Sequence, residues 1–94
     1  MVVGVCSIDL HLPSAHSLKD KRQVVRSITA RLRQRFNVSV AEVGEQDRWQ
    51  SAELAIACVS NDRAYAHGLL TKAVSVIERS RLDITLVDYR IEFW

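Results

Sequence analysis

Apolar and polar residues alternate along the first part of the chain. In "VVGVCSIDLHL" (2–12), apolar side chains occupy every second position from Cys6 to Leu12, and polar side chains occupy the positions between them. A period of two predicts a β-strand with one buried and one open face. Pro13 cannot donate to a strand ladder, so we expect the strand to end there and 14–17 to form a short connection.

From Leu18 onward the apolar residues recur at the spacing of a helix. The apolar stripe consists of Leu18, Val25, Ile28, Leu32 and Phe36. This spacing predicts an amphipathic helix whose other faces carry basic residues. Ser17 is placed to cap the start of this helix, and Asn37 follows Phe36 as a helix stop.

The two-residue period of a strand and the apolar spacing of a helix both recur in the rest of the chain. "VSVAEVGEQ" (38–46) and "SAELAIACVS" (51–60) predict two further strands separated by a polar turn. A second amphipathic helix is expected over 62–80. "LDITLVDYRIEFW" (82–94) predicts a last strand, whose face of larger side chains consists of Val87, Tyr89, Ile91 and Phe93.

The predicted order of elements is β-α-β-β-α-β, with short connections. In a single domain covering 1–94, this order favours the α+β class. The expected architecture is a ferredoxin-like sandwich, in which a four-stranded antiparallel sheet carries both helices on one face. The first and third strands are central in that sheet, and its other face is open.

Charge is distributed unevenly along the chain. The formal net charge is only +2, which does not by itself indicate nucleic acid. Seven of the thirteen cations nevertheless lie within 19–35, where Asp20 is the single acid. These seven are Lys19, Lys21, Arg22, Arg26, Arg31, Arg33 and Arg35. The first predicted helix is therefore strongly basic.

The start of this helix is a candidate site for an anion or a nucleic acid. A helix N-terminus offers unpaired N–H groups and a partial positive charge. The candidate residues are His16, Ser17, Lys19, Lys21 and Arg22, with Arg26 and Arg33 farther along the helix. The predicted topology brings Arg48, Arg79 and Arg81 to the same end of the molecule. The alternative is a capped helix start whose charges are simply solvated.

The open sheet face is a second candidate surface. Outward positions on the two central strands carry no aromatic residue, so bases are not expected to stack there as they do on RNA-recognition motifs. Several of these positions are small and apolar, which suggests that a second copy of the chain covers them. The candidate dimer face consists of Val5, Ser7, Ala55, Ala57 and Val59.

Motifs for other chemistry are weak. The sequence contains no GxxxxGK[ST], GxGxxG or HExxH pattern, and we expect neither a cofactor nor a metal. Ser7, Asp9 and His11 share a strand face but stand too far apart to form a nucleophile and its base. No catalytic residue is assigned.

The cellular location is expected to be the cytoplasm, without membrane contact. The longest apolar run is far shorter than the ~20 residues that span a bilayer. "MVVGVCSIDL" has no basic segment and no small-residue cleavage site, unlike a signal peptide. Cys6 and Cys58 lack CxxC spacing, which favours free core thiols over a disulfide or a zinc site.

Four segments carry a family resemblance: "SLKDKR", "FNVSVAEV", "DRWQSAEL" and "VSND". With them the chain resembles the YlxP-like family of small bacterial proteins, a domain of unknown function. The resemblance implies a ferredoxin-like fold. It also implies a role near RNA or the ribosome, because genes of the family often lie beside genes for transcription, translation and ribosome maturation. The family motifs fall on Ser17, Leu18, Lys19, Lys21 and Arg22, and on Glu42, Asp47 and Trp49 of the predicted hairpin.

Three functions are open at this point. The leading hypothesis is a non-catalytic RNA- or ribosome-associated module that contacts phosphates through the basic helix. The alternative is a homo-oligomeric regulator that binds a small molecule, resembling ACT-type domains. An enzyme acting on a phosphorylated substrate is the third.

Overall fold

The six predicted elements are present in the predicted order in the computed structural model, which describes residues 1–80 and 83–94. The strands are β1 (Val2–His11), β2 (Ser39–Gly44), β3 (Ser51–Ser60) and β4 (Thr85–Phe93), and the helices are α1 (Leu18–Arg35) and α2 (Arg63–Ser80). All strand pairs are antiparallel and the sheet order is β2-β3-β1-β4. The predicted ferredoxin-like α+β fold is confirmed.

The core lies between the sheet and the two helices. β1 and β3 alternate between buried and partly exposed residues, as a strand with one covered face does. The large apolar side chains that are fully buried include Cys6, Ile8, Leu10, Leu12, Leu32, Leu54, Ile56, Leu70 and Ile77. Each buried Leu or Ile contributes roughly 1.5–3 kcal/mol. Of the helices in the described part of the chain, none is long and apolar enough to cross a membrane.

Side chains cap the start of both helices. The backbone N–H of Asp20 donates to Ser17 Oγ at 3.0 Å, which confirms Ser17 as the N-cap of α1. Asp20 Oδ2 in turn accepts from the N–H of His16 at 2.9 Å, a reciprocal arrangement close to a capping box. At α2, Asp62 Oδ1 accepts from the N–H of Ala64 at 2.9 Å. Such a cap is worth about 1 kcal/mol.

The last strand differs from the prediction at Val87. Asp9 pairs with Asp88 while Leu10 pairs with Leu86, so Val87 is an extra residue in a β-bulge. A bulge interrupts the alternation, and Leu86 therefore packs against the core while Val87 is 64% exposed. The prediction that Val87 shares the face of Ile91 and Phe93 is wrong for this reason.

Candidate functional site

Lys21 lies inside the molecule. Only 1% of it is exposed, because position 21 falls on the helix face that also buries Val25 and Ile28. Its Nζ donates to the carbonyl of Glu45 at 2.6 Å and to that of Ser51 at 3.2 Å, and it lies 2.9 Å from Glu42 Oε2. An ammonium has three N–H donors, and two of them are used by these carbonyls, while the charge is paired with Glu42. Lys21 was predicted to contact an external anion, and its burial contradicts this.

Glu42 reaches Lys21 because of its place on β2. Its cross-strand partner is Leu54, a core residue, so the Glu42 side chain turns toward the helices. Oε2 is buried and has no hydrogen-bond partner among the described residues, and its contact with the ammonium is an ion pair. A buried ion pair loses its compensation when either member is removed.

The turn between β2 and β3 is tied to α1 and to the connection before it. Glu45 has a left-handed backbone (φ 61°), and its carbonyl accepts the short hydrogen bond from Lys21. Gln50 Nε2 donates to the carbonyls of Pro13 and Ala15, and the N–H of Leu12 donates to the Gln50 carbonyl at 2.8 Å. The segments "SLKDKR" and "DRWQSAEL" therefore meet in space and hold the two loops together.

The start of α1 lies beside the β2–β3 turn and the segment that follows α2, as the predicted topology requires, and part of the charge at this end is acidic. A depression of about 270 Å³ lies there, and the charged side chains that line it are Asp20 and Asp83. Arg48 pairs with Glu45 at 3.2 Å, and Arg79 donates to the Ser75 carbonyl of its own helix at 3.3 Å. Arg81 lies outside the described residues.

A line of cations instead follows one side of α1. Lys19, Arg22, Arg26 and Arg33 are spaced by three, four and seven residues, which places them on one side of a helix. We call these four residues the basic flank. The side chains of Lys19, Arg22 and Arg26 are exposed and, within the described chain, have no ion-pair or hydrogen-bond partner. Arg33 donates to the Val40 carbonyl at 3.1 Å, so the flank runs beside the edge strand β2.

The candidate dimer face is continuous. Val5 stands opposite Ala57, and Ser7 stands opposite Ala55, all on the face away from the helices. Val59, 69% exposed, extends the patch opposite Val3. The next row on this face is acidic, because Asp9 lies between Glu53 and Asp88. Within the described residues, no three His, Cys, Asp or Glu side chains are grouped so that they could hold a metal ion.

The two cysteines are buried free thiols. Burial raises the pKa of Cys6 from 9.0 to about 11, because the thiolate is poorly solvated in the core. The thiolate is the reactive form of cysteine. Cys6 is therefore protonated at neutral pH and unsuited to act as a nucleophile.

The buried thiol makes stability depend on alkaline pH. Between pH 9 and about 11 the folded chain keeps the Cys6 proton that the unfolded chain has lost, so the free energy of unfolding falls as the pH rises. We expect the urea midpoint to fall from pH 8 to pH 10.5, and to fall less in a Cys6→Ala variant. Equal pH dependence in the two proteins would contradict the assignment to Cys6.

Comparison with solved structures supports the assignment of the fold. The fold is that of small ferredoxin-like sandwiches: over 100% of this chain it is similar to the de novo designed protein Foldit4 (TM-score 0.56, 11% identity, 97% of that chain). It is also similar to the designed ferredoxin-fold protein LFR1 1 (TM-score 0.52, 15% identity), covering 100% of this chain and 83% of that one. At such identities the likeness shows the fold alone.

Sequence comparison identifies the family. The model of a family of proteins of unknown function, DUF503, matches residues 3–91. The chain is also 35% identical over 77 residues to the uncharacterized protein YlxP of Bacillus subtilis (strain 168), which covers 82% of this chain and 84% of that protein. The chain therefore belongs to the DUF503 family, and the predicted YlxP-like membership is confirmed.

Proposed function

We propose that this protein is a non-catalytic RNA- or ribosome-associated module that contacts phosphates through the basic flank of α1. The observation that carries the proposal is the alignment of Lys19, Arg22 and Arg26, which are exposed and unpaired among the described residues. Most surface cations of a nearly neutral protein have acidic neighbours that weaken the local field. Three aligned cations whose side chains form no ion pair are a favourable surface for a polyanion, although Asp20 of the same helix lies beside Lys19.

The dimensions of the flank suit a nucleic-acid backbone. From Lys19 to Arg33 it extends about 21 Å at 1.5 Å per residue, which is long enough to follow several phosphates. Arg33 is held against β2 and gives one end of the row a fixed position. The resemblance to a family whose genes accompany those of ribosome maturation favours RNA over DNA.

A salt titration tests this proposal directly. Counterion release predicts that the logarithm of the association constant falls with the logarithm of salt concentration by roughly 0.7–0.9 per phosphate contact. For three to four contacts we expect a slope of about −2 to −4 with labelled RNA. The measurement is fluorescence anisotropy on the wild-type protein at a series of salt concentrations. Absence of binding at low salt, or binding that does not respond to salt, would refute the proposal.

We also propose that the open sheet face joins two copies of the chain. Ala55 and Ala57 occupy exposed-face positions of central strands, where alanine is disfavoured unless something packs against it. An identical flat face of small side chains is a suitable partner for this patch. A dimer of this kind is what the alternative function requires, since ACT-type regulators bind their small molecules at subunit interfaces.

Light scattering after gel filtration should show a mass twice the 10.7 kDa of one chain. The Ala57→Glu variant is expected to give the single-chain mass, because it places a charge in the centre of the apolar patch. Ala64→Glu, on the exposed start of α2, is the matched control and should remain dimeric. A wild-type protein of single-chain mass at high micromolar concentration would contradict the dimer.

A further inference from the structure

A groove lies where the end of α1 meets the first half of α2. Its volume is about 230 Å³, and its walls are Phe36, Tyr65, Gly68, Leu69 and Lys72. Tyr65, Leu69 and Lys72 are spaced by four and three residues, so they share one side of α2. Apart from the helix backbone and the two adjacent residues, no atom lies within 4 Å of the position that a Cβ would take at Gly68, which leaves this side of the helix open.

The chemistry of the groove is aromatic and cationic. Tyr65 is 63% exposed, and the partly buried Phe36 forms the wall supplied by the end of α1. The guanidinium carbon of Arg35 lies 6.0 Å from the centre of the Phe36 ring, and Lys72 is one of the lining residues. Lys72 is the charged residue among the described lining residues, and none of these residues is acidic.

The size of the groove limits its occupant. Sites for whole small molecules usually measure about 300–1,000 Å³. A groove of about 230 Å³ is below that range and suits a single flat ring system. Lys72 and Arg35 favour a ring that carries negative charge nearby, and a nucleotide combines these two features. Phe36 follows Arg33, the last residue of the basic flank, by three positions, so the groove and the end of the flank are close along the chain.

We propose that this groove seats one unstacked base of single-stranded RNA, on Tyr65 and Phe36, while Lys72 and Arg35 contact the adjoining phosphates. This inference rests on the function proposed above and specifies the form of RNA. A duplex keeps its bases stacked and cannot insert one, so single strands bind the groove and duplexes reach the basic flank alone. Stacking of a base on an aromatic side chain does not require a particular base.

The test compares a single-stranded oligoribonucleotide with a duplex of the same sequence. Tyr65→Ala is expected to weaken binding of the single strand by roughly 5- to 150-fold, the range that loss of one stacked base gives. Binding of the duplex and the slope with salt should be unchanged. Tyr65→Phe keeps the ring and should bind within about twofold of wild type. Trp49→Ala removes another exposed aromatic residue, at the β2–β3 turn, and serves as the matched control.

The outcomes separate this inference from the function on which it rests. Tyr65 is largely exposed, so the Tyr65→Ala variant is expected to fold, and circular dichroism checks this. Salt-sensitive RNA binding that is the same for Tyr65→Ala and wild type would overturn the base site and leave the basic flank standing. Equal losses with Tyr65→Ala and Trp49→Ala would also overturn it. Absence of any RNA binding by the wild type would overturn both proposals.

Discussion

Replacing Lys21 by methionine is expected to lower the free energy of unfolding by about 3–5 kcal/mol. Methionine fills the space of the side chain but leaves the buried Oε2 of Glu42 without its cation and removes the hydrogen bonds to the Glu45 and Ser51 carbonyls. Proteins of this length have a total stability of about 5–14 kcal/mol. The loss is therefore a large share of the whole, and urea unfolding of the variant at neutral pH measures it.

Two further variants isolate the cause. Lys19→Met makes the same chemical change two residues earlier at an exposed position, and its effect should stay within about 0.5 kcal/mol. Lys21→Met combined with Glu42→Leu should recover most of the loss, because an apolar pair can replace a buried ion pair with little cost. If Lys21→Met were as stable as Lys19→Met, the assignment of a stabilising role to Lys21 would be wrong.

The second large effect is expected on RNA binding. Arg22→Glu with Arg26→Glu should weaken the affinity about 100-fold, since each charged hydrogen bond contributes roughly 1.5 kcal/mol or more. The slope of the logarithm of the association constant against the logarithm of salt concentration should become less negative by about 1.4–1.8, because two phosphate contacts are lost. Both side chains are exposed and unpaired among the described residues, so stability should change little. Anisotropy titrations and urea unfolding measure the two quantities.

A control with the same charge separates the flank from the overall electrostatics. Arg31→Glu with Arg79→Glu also lowers the formal net charge from +2 to −2, since each Arg→Glu change removes two units. Arg31 lies on another side of α1, and Arg79 lies on α2. This variant should keep its RNA affinity within a few-fold of wild type. Similar losses in the two double variants would show that net charge, and not the basic flank, governs binding.

The order and type of the elements were predictable because they depend on local periodicity. The alternation from Cys6 to Leu12 and the helical stripe from Leu18 to Leu32 each arise from one stretch of chain, and the structure confirms both. The bulge at Val87 was not predictable in this way. It depends on the register between β1 and β4, which are far apart in the sequence.

The site was predicted less well, and Lys21 shows why. Its position four residues before Val25 and seven before Ile28 is a signal that it lies on the buried face. A lysine is usually expected to be exposed, however, and both its carbonyl acceptors and its ion-pair partner come from residues more than twenty positions away. Likewise, Tyr65 and Phe36 are separated by the whole of β2 and β3, and no local pattern joins them into a groove.

The sequence by itself determined the fold, the helix cap at Ser17 and the basic character of α1, because propensity, capping and periodicity act over a few neighbouring residues. The tertiary structure decided which cations are available. It turned Lys21 inward to an ion pair with Glu42, left Lys19, Arg22 and Arg26 in solvent, and placed Asp83 beside the helix start. The physical reason is that desolvation and pairing of a charge depend on groups that only folding brings together.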